Sequence, residues 1–414
     1  MGGLQLCSLA LSLAAAVLLA RMLGPEGFGQ YSFVFALVTI LSLPLDQGMR
    51  QLVTREVAGY HHGEQWDLLR GLLFRTHQWV LLGAASIILV LGGIAASRAT
   101  WQASDRWSLL LAALPALPFL GLNGLRGATL RGLGYIVQAQ IPELLVRPAL
   151  YLVFAVTLLA LGLLSPAKAL MGQVFAAVGA FLFGAYLLRR HWPKELRMAG
   201  VEYNSSEWAR AWLPFTLLMA VSLLNGQISI LLLGWLGTDA QVGALRVADR
   251  GSQLVSMSLQ VVNLVIGPQI TRAFRANDYV RLQKLFTQSA RGALIIALPV
   301  SIPLIFFSKP IIALIFGARY VDLAALPLAV LAGAQLGNVV FGSVGMFLIM
   351  SGYERDSLVA QVVALLVNFV VALALIPTFG TVGATISVAI GLFVWNLLLA
   401  FKLKRRLGLR PTVF

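Results

Sequence analysis

Charge, cysteine and long polar segments are all scarce in this sequence. Charged side chains make up 11 % of its 414 residues, whereas a soluble domain carries about a quarter, so a water-soluble globular chain is excluded. Cys7 is the single cysteine, which rules out a disulfide within the chain and a metal site built on paired thiols. The four histidines show no ligand spacing with carboxylates, and we therefore expect neither a metal nor any other cofactor.

The longest polar stretches cover residues 50–77, 189–211 and 272–291. None of them is large enough to hold a soluble catalytic domain. Any activity must therefore lie within the membrane or at its two faces, and we expect a protein that is not an enzyme.

What the chain does contain is a series of apolar runs of about 20 residues, the length needed to cross a hydrocarbon core about 30 Å thick. The runs are continuous rather than alternating, which excludes a strand-built barrel. The sequence thus predicts an all-α polytopic membrane protein with about 12 transmembrane helices. The expected spans are residues 3–22, 30–49, 78–97, 107–125, 145–164, 169–188, 212–235, 251–271, 292–308, 324–350, 357–377 and 381–401.

Lysine and arginine predict the orientation, because cytoplasmic loops carry the excess of positive charge. With the N-terminus inside, 23 of the 31 basic residues fall on the cytoplasmic side and 8 on the other side. We therefore expect both termini in the cytoplasm, and a net charge of +15 that attracts anionic membrane lipids. The basic residues form no compact patch with interleaved aromatics, so nucleic acid is not an expected partner.

The stretch RMLGPEGFGQYS, residues 21–32, carries three glycines after an apolar run, as a phosphate-binding loop does. A P-loop needs a preceding strand and a Gly-Lys-Ser/Thr ending, and this stretch has neither. Gly24 and Pro25 instead predict the end of one helix and the start of the next, with a tight reversal between them.

Three short matches recur in the same order at similar offsets. The segment around Gly24 resembles the one around Gly237 (offset 213), residues 72–76 resemble 284–288 (offset 212), and residues 132–135 resemble 350–353 (offset 218). They predict two homologous six-helix lobes related by a parallel pseudo-two-fold axis, a plan that suits alternating access to a central cavity. We expect an N-terminal lobe at residues 1–190, a basic cytoplasmic linker at 191–210 and a C-terminal lobe at 211–414.

Four blocks of the sequence resemble a known family: LLARMLGPEGFGQYSFVFALV (18–38), LDQGMRQLVTREVA (45–58), LIFGARYVDLAALPL (314–328) and MSGYERD (350–356). They are similar to the bacterial polysaccharide (O-antigen and exopolysaccharide) flippases of the multidrug/oligosaccharidyl-lipid/polysaccharide exporter superfamily, over essentially the whole chain. The resemblance implies a V-shaped pair of six-helix lobes in the bacterial inner membrane. It also implies transfer of an undecaprenyl-diphosphate-linked oligosaccharide to the periplasmic leaflet, and leaves room for other polysaccharide-assembly membrane proteins as partners.

Ionisable side chains inside a span are functional candidates, since each costs about 2.5–3.5 kcal/mol on insertion scales. Of the 16 carboxylates only Asp46 lies clearly within a predicted span, while Glu143 and Asp249 lie at helix ends. An ion-coupled exporter of cationic drugs would need buried carboxylates, so their scarcity argues against that function.

Arginines are the candidates for binding a diphosphate headgroup, because guanidinium matches phosphate oxygens bidentately. They are Arg50, Arg126, Arg147, Arg246 and Arg250. The competing interpretation is that they anchor the orientation or extend toward lipid headgroups.

Uncharged polar residues lie deeper, all in the second half of the chain. Asn225 and Gln227 are predicted to bind sugar hydroxyls, and the same group includes Gln260, Asn263, Gln335, Asn338 and Asn368. Hydrogen bonds between helices, worth about 0.6–2 kcal/mol each, are the competing interpretation.

The leading hypothesis is a lipid-linked oligosaccharide flippase. One alternative is an ion-coupled multidrug or small-molecule exporter of the same superfamily. Another is a membrane-embedded polysaccharide polymerase or ligase, which is expected to carry a large outer catalytic loop that this sequence lacks. A structural membrane protein would leave the repeat unexplained.

Overall fold

The computed structural model describes residues 2–97 and 105–409, which form helices joined by short turns, with no strand among them. The helices of the first half are α1 Gly2–Leu41, α2 Gln47–His62, α3 Trp66–Ser97, α4 Asp105–Ala113, α5 Ala116–Gly132, α6 Ile136–Ile141, a π-helical turn Pro142–Val146, α7 Arg147–Ala160, α8 Pro166–Arg190 and α9 Glu195–Met198. Those of the second half are α10 Ser205–Leu236, α11 Asp239–Arg275, α12 Tyr279–Phe306, α13 Ser308–Ile315, a 3-10 turn Ala318–Tyr320, α14 Val321–Phe341, α15 Val344–Met350 and α16 Glu354–Leu407.

Ten helical segments of this described part are long and apolar enough to cross a membrane. Two of them, α1 and α16, contain a non-helical glycine: Gly24 at φ 69° and Gly380 at φ 52°, a backbone region that glycine enters without steric cost. Counting both arms of each broken helix gives twelve apolar segments. The prediction of an all-α polytopic membrane protein is confirmed, and both breaks fall between spans that the sequence separates.

Several predicted spans have different bounds in the structure; the eighth begins at Asp239 and not at residue 251, so that Arg246 and Arg250 lie within the helix. The second helical arm stops at Leu41, not at residue 49, and a turn containing Pro44 leads into α2. The polar stretch after residue 50 is itself helical because α2 buries one face, with Leu52, Val53 and Val57, and exposes the other. The tenth span is interrupted at Gly342, where φ is 73°.

The described residues divide into two compact units. The first unit takes those between 3 and 23 and between 33 and 223, and the second takes those between 24 and 32 and from 224 onward. The division falls inside α10, and the predicted lobe boundaries at residues 190 and 211 stay predictions.

The first unit includes the beginning of α10, which is attached by two tryptophans. Trp208 is fully buried, and its indole N–H donates to the Tyr60 hydroxyl at 3.0 Å. The Trp212 indole donates to the Pro44 carbonyl oxygen at 3.1 Å. These bonds satisfy buried polar groups while the rings fill the core.

One hydrophobic cluster of the second unit is formed mainly by α11, α12, α15 and the last part of α16. Phe286 and Phe347 meet edge-on there with ring centroids 5.1 Å apart, and Leu399 and Leu403 are fully buried beside them.

Also within the second unit, Gly29 of α1 and Gly243 of α11 allow two helices to touch through their backbones. A Cβ on Gly29 would overlap the carbonyl oxygen of Asp239, and a Cβ on Gly243 would overlap that of Pro25. The two contacts join residue 29 to 239 and residue 243 to 25. A shift of 214 positions, close to the offset of the sequence repeat, takes 29 to 243 and 25 to 239, and so turns one contact into the other. The contact is therefore reciprocal, as contacts across a two-fold axis are.

We expect Gly243→Ala to lower the free energy of unfolding by about 1–3 kcal/mol, because rotation cannot move a methyl group away from a backbone carbonyl. Gly292→Ala in α12 is the matched control, since nothing lies within 4 Å of its added Cβ and alanine gains about 1 kcal/mol in a helix interior. Thermal unfolding of the purified proteins in detergent measures both changes. A Gly243→Ala protein as stable as Gly292→Ala would contradict the close contact.

Candidate functional site

In the first unit, Arg50 of α2 is held between two carboxylates. Its Nε and Nη2 donate to Asp46, the latter at 3.0 Å, and its Nη1 and Nη2 donate to Glu143 at 2.7 and 2.8 Å. Asp46 is only 7 % exposed. Paired charges in such a buried place stabilise the fold only while every member is present. We call Asp46, Arg50 and Glu143 the ion triad.

The π-helical turn Pro142–Val146 carries Glu143 into the ion triad. Pro148 has no N–H, and its ring would clash with the carbonyl group four residues earlier in a regular helix. The chain widens just before it, and the Arg147 N–H donates to the Pro142 carbonyl oxygen, the spacing of a π-helix.

Arg147 and Arg131 lie near enough to Glu143 to interact with it electrostatically. Arg147 makes no ion pair in the described part of the chain and is half-buried. The structure therefore brings Arg50 and Arg147 together, as two of the predicted phosphate ligands, but Arg50 is already neutralised by carboxylates.

Arg126 of α5 lies elsewhere in the first unit. Its Nη1 donates to the carbonyl oxygen of Phe181 on α8 at 2.7 Å, and its guanidinium carbon lies 3.4 Å from the centre of the Phe181 ring. A cation over an aromatic face is held by the ring quadrupole, so Arg126 is fixed against α8.

In the second unit, Arg246 of α11 is 6 % exposed, and its two polar partners lie at long distances. Its Nη2 lies 3.4 Å from the Gln227 side-chain oxygen, and its Nη1 lies 3.8 Å from Asp249. Both distances exceed those of a charge-assisted bond, about 2.7–2.9 Å. Arg250 bonds to the side chain of Gln253, which donates to Asp249 in turn. Arg246, Asp249 and Arg250 thus share one network.

Next to this network the second unit contains a cavity of about 280 Å³. We call it the amide cavity because its polar wall consists mainly of amide side chains. That wall is formed by Asn225, Ser229, Asp249, Gln335, Gln361, Asn368 and Trp395. Asn225 donates to the Gln361 carbonyl oxygen at 3.1 Å, and Ser229 donates to Asn368 at 3.2 Å.

The structure separates the two predicted sugar ligands of α10. Asn225 lines the amide cavity, whereas Gln227 contacts Arg246, because residues two apart on a helix point in different directions. Gln335 and Asn368 join Asn225 in the cavity wall, and Asn338 lies behind them, bonded to Gln335 and to Asn396.

Ser229, Gln361 and Trp395 line this cavity and are not among the residues that sequence reasoning selected. The indole N–H of Trp395 is buried and has no hydrogen-bond partner in the described part of the chain, while the residue lines the cavity. The i,i+4 spacing of Asn225 and Ser229 indicates a polar face of α10 and could have identified Ser229. A lone tryptophan in an apolar run carries no such signal, so Trp395 could not be identified from the sequence.

A family model described as polysaccharide biosynthesis protein matches residues 3–274, and a second, described as MatE, matches residues 206–374. A protein described as an O-antigen transporter, from Shigella flexneri, is 26 % identical over 73 % of this chain and 72 % of its own length. A protein described as a low-salt glycan biosynthesis flippase, from Haloferax volcanii, is 24 % identical over 45 % of this chain. That match spans 40 % of the length of the Haloferax relative.

Solved structures share the fold at low sequence identity. An inward-facing multidrug transporter of the MATE family superposes with a TM-score of 0.80 and 17 % identity, over 97 % of this chain and 94 % of the other. Lipid II flippase MurJ in an inward closed conformation superposes with a TM-score of 0.77 and 13 % identity, over 97 % of this chain and 87 % of the other. The family model described as polysaccharide biosynthesis protein covers more than half of the residues of this chain. This multi-pass membrane chain therefore belongs to the polysaccharide biosynthesis protein family, and it has an all-α transporter fold.

Proposed function

We propose that this protein is a flippase that moves a glycan linked to a polyprenyl diphosphate, in bacteria undecaprenyl diphosphate, from the cytoplasmic to the periplasmic leaflet of the inner membrane by alternating access. Both termini then lie in the cytoplasm. The relatives described above are named for glycan and O-antigen transport, which supports a lipid-linked glycan as the substrate class.

The observation that carries the proposal is the environment of Arg246. Arg246 is a buried guanidinium whose two partners are both at long distance, and burying a cation without close partners is costly. A diphosphate would supply the missing short bonds, since phosphate oxygens accept bidentately from arginine. Arg250 adds a second positive charge one turn away on the same helix.

The amide cavity supports the sugar part of the substrate. Asn225, Gln335 and Asn368 offer donors and acceptors, and Trp395 offers an aromatic side chain. Asp249 belongs to the cavity wall and to the Arg246 network, so a sugar and the diphosphate attached to it would be bound side by side. Gln227 does not contact the sugar in this proposal; its side-chain oxygen orients the guanidinium group of Arg246.

The remaining predicted ligands have different parts in this proposal. Arg147, half-buried and without an ion pair in the described residues, stays a predicted phosphate ligand of the first unit alone. Arg50 acts by holding Asp46 and Glu143, and Arg126 is held against α8 by Phe181.

The polymerase or ligase alternative finds no support in the relatives named above, which are transporters and flippases. The exporter alternative is closer, because the MATE structure shares the fold and the MatE model matches the second half. Within the described residues, however, Asp249 is the one carboxylate lining the amide cavity.

Purified protein in liposomes, supplied with a fluorescent polyprenyl-diphosphate oligosaccharide on one side, tests the proposal. We expect the glycan to become accessible to a lectin on the other side at least tenfold faster than in protein-free liposomes. The matched assay loads a cationic dye and applies a proton or sodium gradient. Export of the dye without movement of the glycan would overturn the proposal in favour of the exporter.

A further inference from the structure

A second cavity, of about 500 Å³, opens in the first unit where α3, α5 and α8 meet the segment that contains α9. Its polar wall consists of His77, Arg126, Arg189, Trp192 and Arg197, and the remaining lining residues are aliphatic. No lining residue is acidic. The volume lies within the range of about 300–1,000 Å³ that is usual for small-ligand pockets. We call it the arginine cavity.

Arg126 is positioned before any ligand arrives. The carbonyl oxygen and the ring of Phe181 hold its guanidinium group. A guanidinium has five N–H donors, and the bond to Phe181 is the one hydrogen bond that Arg126 makes in the described part of the chain. His77 is fixed in a similar way, with Nδ1 2.6 Å from the Leu73 carbonyl oxygen.

The positive charges of this cavity are not compensated by protein. Among the described residues no carboxylate forms an ion pair with Arg126, Arg189 or Arg197, and Arg126 and Arg189 lie close enough to repel each other. The ion triad shows the opposite arrangement, with one arginine between two carboxylates. Cations gathered around one cavity are favourable only when an anion joins them.

The surroundings indicate what kind of anion fits. Arg189 and Arg197 are exposed, so the cavity is open to solvent. It lies at the end of a membrane-spanning helix, where the charge pattern predicts the cytoplasmic face. Tryptophan is the residue enriched at the headgroup level of a membrane, and Trp192 forms part of this wall.

We propose that the arginine cavity binds the phosphate of a lipid headgroup, either the diphosphate of a polyprenyl carrier or the phosphate of an anionic phospholipid, with Arg126, Arg189 and Arg197 as its donors. The site is distinct from the Arg246 network of the second unit. It does not rest on the proposed function, because it is tested by equilibrium binding and not by transport.

The full-length protein in neutral detergent, titrated calorimetrically with inorganic pyrophosphate, tests the proposal. We expect Arg126→Gln to raise the dissociation constant at least fivefold, and the Arg189→Gln, Arg197→Gln double variant at least tenfold. Arg190→Gln is the matched control, because Arg190 is the exposed neighbour on α8 and lies outside the cavity wall. If Arg126→Gln unfolds, the double variant still tests the proposal, because it changes only exposed residues and is expected to keep its fold.

Competition then identifies the source of the phosphate. Displacement of pyrophosphate by undecaprenyl diphosphate but not by phosphatidylglycerol assigns the site to the carrier, and displacement by both assigns it to anionic lipids in general. The proposal is overturned if the double variant binds pyrophosphate as tightly as the unaltered protein, or if Arg190→Gln weakens binding by the same factor as the double variant.

Discussion

Arg50→Ala is expected to lower the free energy of unfolding by about 3–5 kcal/mol, the range for removing one partner of a buried ion pair. The substitution leaves Asp46 and Glu143 facing each other without a cation, in a place where water cannot screen their repulsion well. Arg131 and Arg147, which also interact with Glu143, offset only part of that loss. The thermal unfolding midpoint of the purified protein in detergent is the measurement.

Arg55→Ala in the same helix is the matched control. Arg55 pairs with its neighbour Glu56, but 55 % of its side chain is exposed, and exposed pairs contribute about 0–1 kcal/mol. A triple variant with Asp46→Asn, Arg50→Met and Glu143→Gln removes all three charges and is expected to recover most of the lost stability. Equal effects of Arg50→Ala and Arg55→Ala would show that Asp46 and Glu143 are not left as uncompensated buried charges, which contradicts the ion triad.

Arg246→Gln is expected to lower the rate of glycan translocation by roughly 10- to 150-fold. This range follows from losing one charge-assisted hydrogen bond, which contributes about 1.5–3 kcal/mol, at about 1.4 kcal/mol for each factor of ten. Arg246→Lys keeps the charge but loses the planar fork, so an intermediate rate is expected. The lectin-accessibility assay in liposomes measures all three proteins.

Arg272→Gln controls for the loss of one positive charge from α11. Arg272 lies near the end of that helix and is exposed, so its removal should leave the rate within twofold of the unaltered protein. Thermal unfolding of each variant separates loss of transport from loss of fold. If Arg246→Gln translocates the glycan as fast as Arg272→Gln, Arg246 does not contact the diphosphate.

The membrane-spanning plan could be predicted from the sequence because it depends on one dominant quantity, the length of apolar runs. The Leu-Gly-Pro pattern predicts the break at Gly24. The gap between the predicted spans 357–377 and 381–401 predicts the break at Gly380. Helix α2 was missed since its buried face is short and its exposed face carries charge, so that the average over a membrane-length window is polar.

The candidate site was harder to predict than the fold. Sequence reasoning selected Arg246 by its i,i+4 spacing with Arg250 at the outer start of a predicted span, and Asn225 by its depth within one. The structure places them in a network and a cavity wall of the second unit. Sequence reasoning could not foresee that Glu143, 93 positions away, neutralises Arg50, because that pairing depends on how α2 and the π-helical turn pack. Pro148 interrupts a regular helix, but nothing in the sequence indicates which side chain the irregular turn directs inward.

The ion triad also bears on how the chain is made. Glu143 leaves the ribosome 93 residues after Arg50, which at 5–20 residues per second corresponds to a delay of about 5–20 s. During that interval Asp46, four positions before Arg50, is the partner at hand, and their pairing makes the segment electrically neutral while it is inserted. The second carboxylate then arrives on a later helix and completes the ion triad, a step that a nascent chain truncated before residue 143 cannot make.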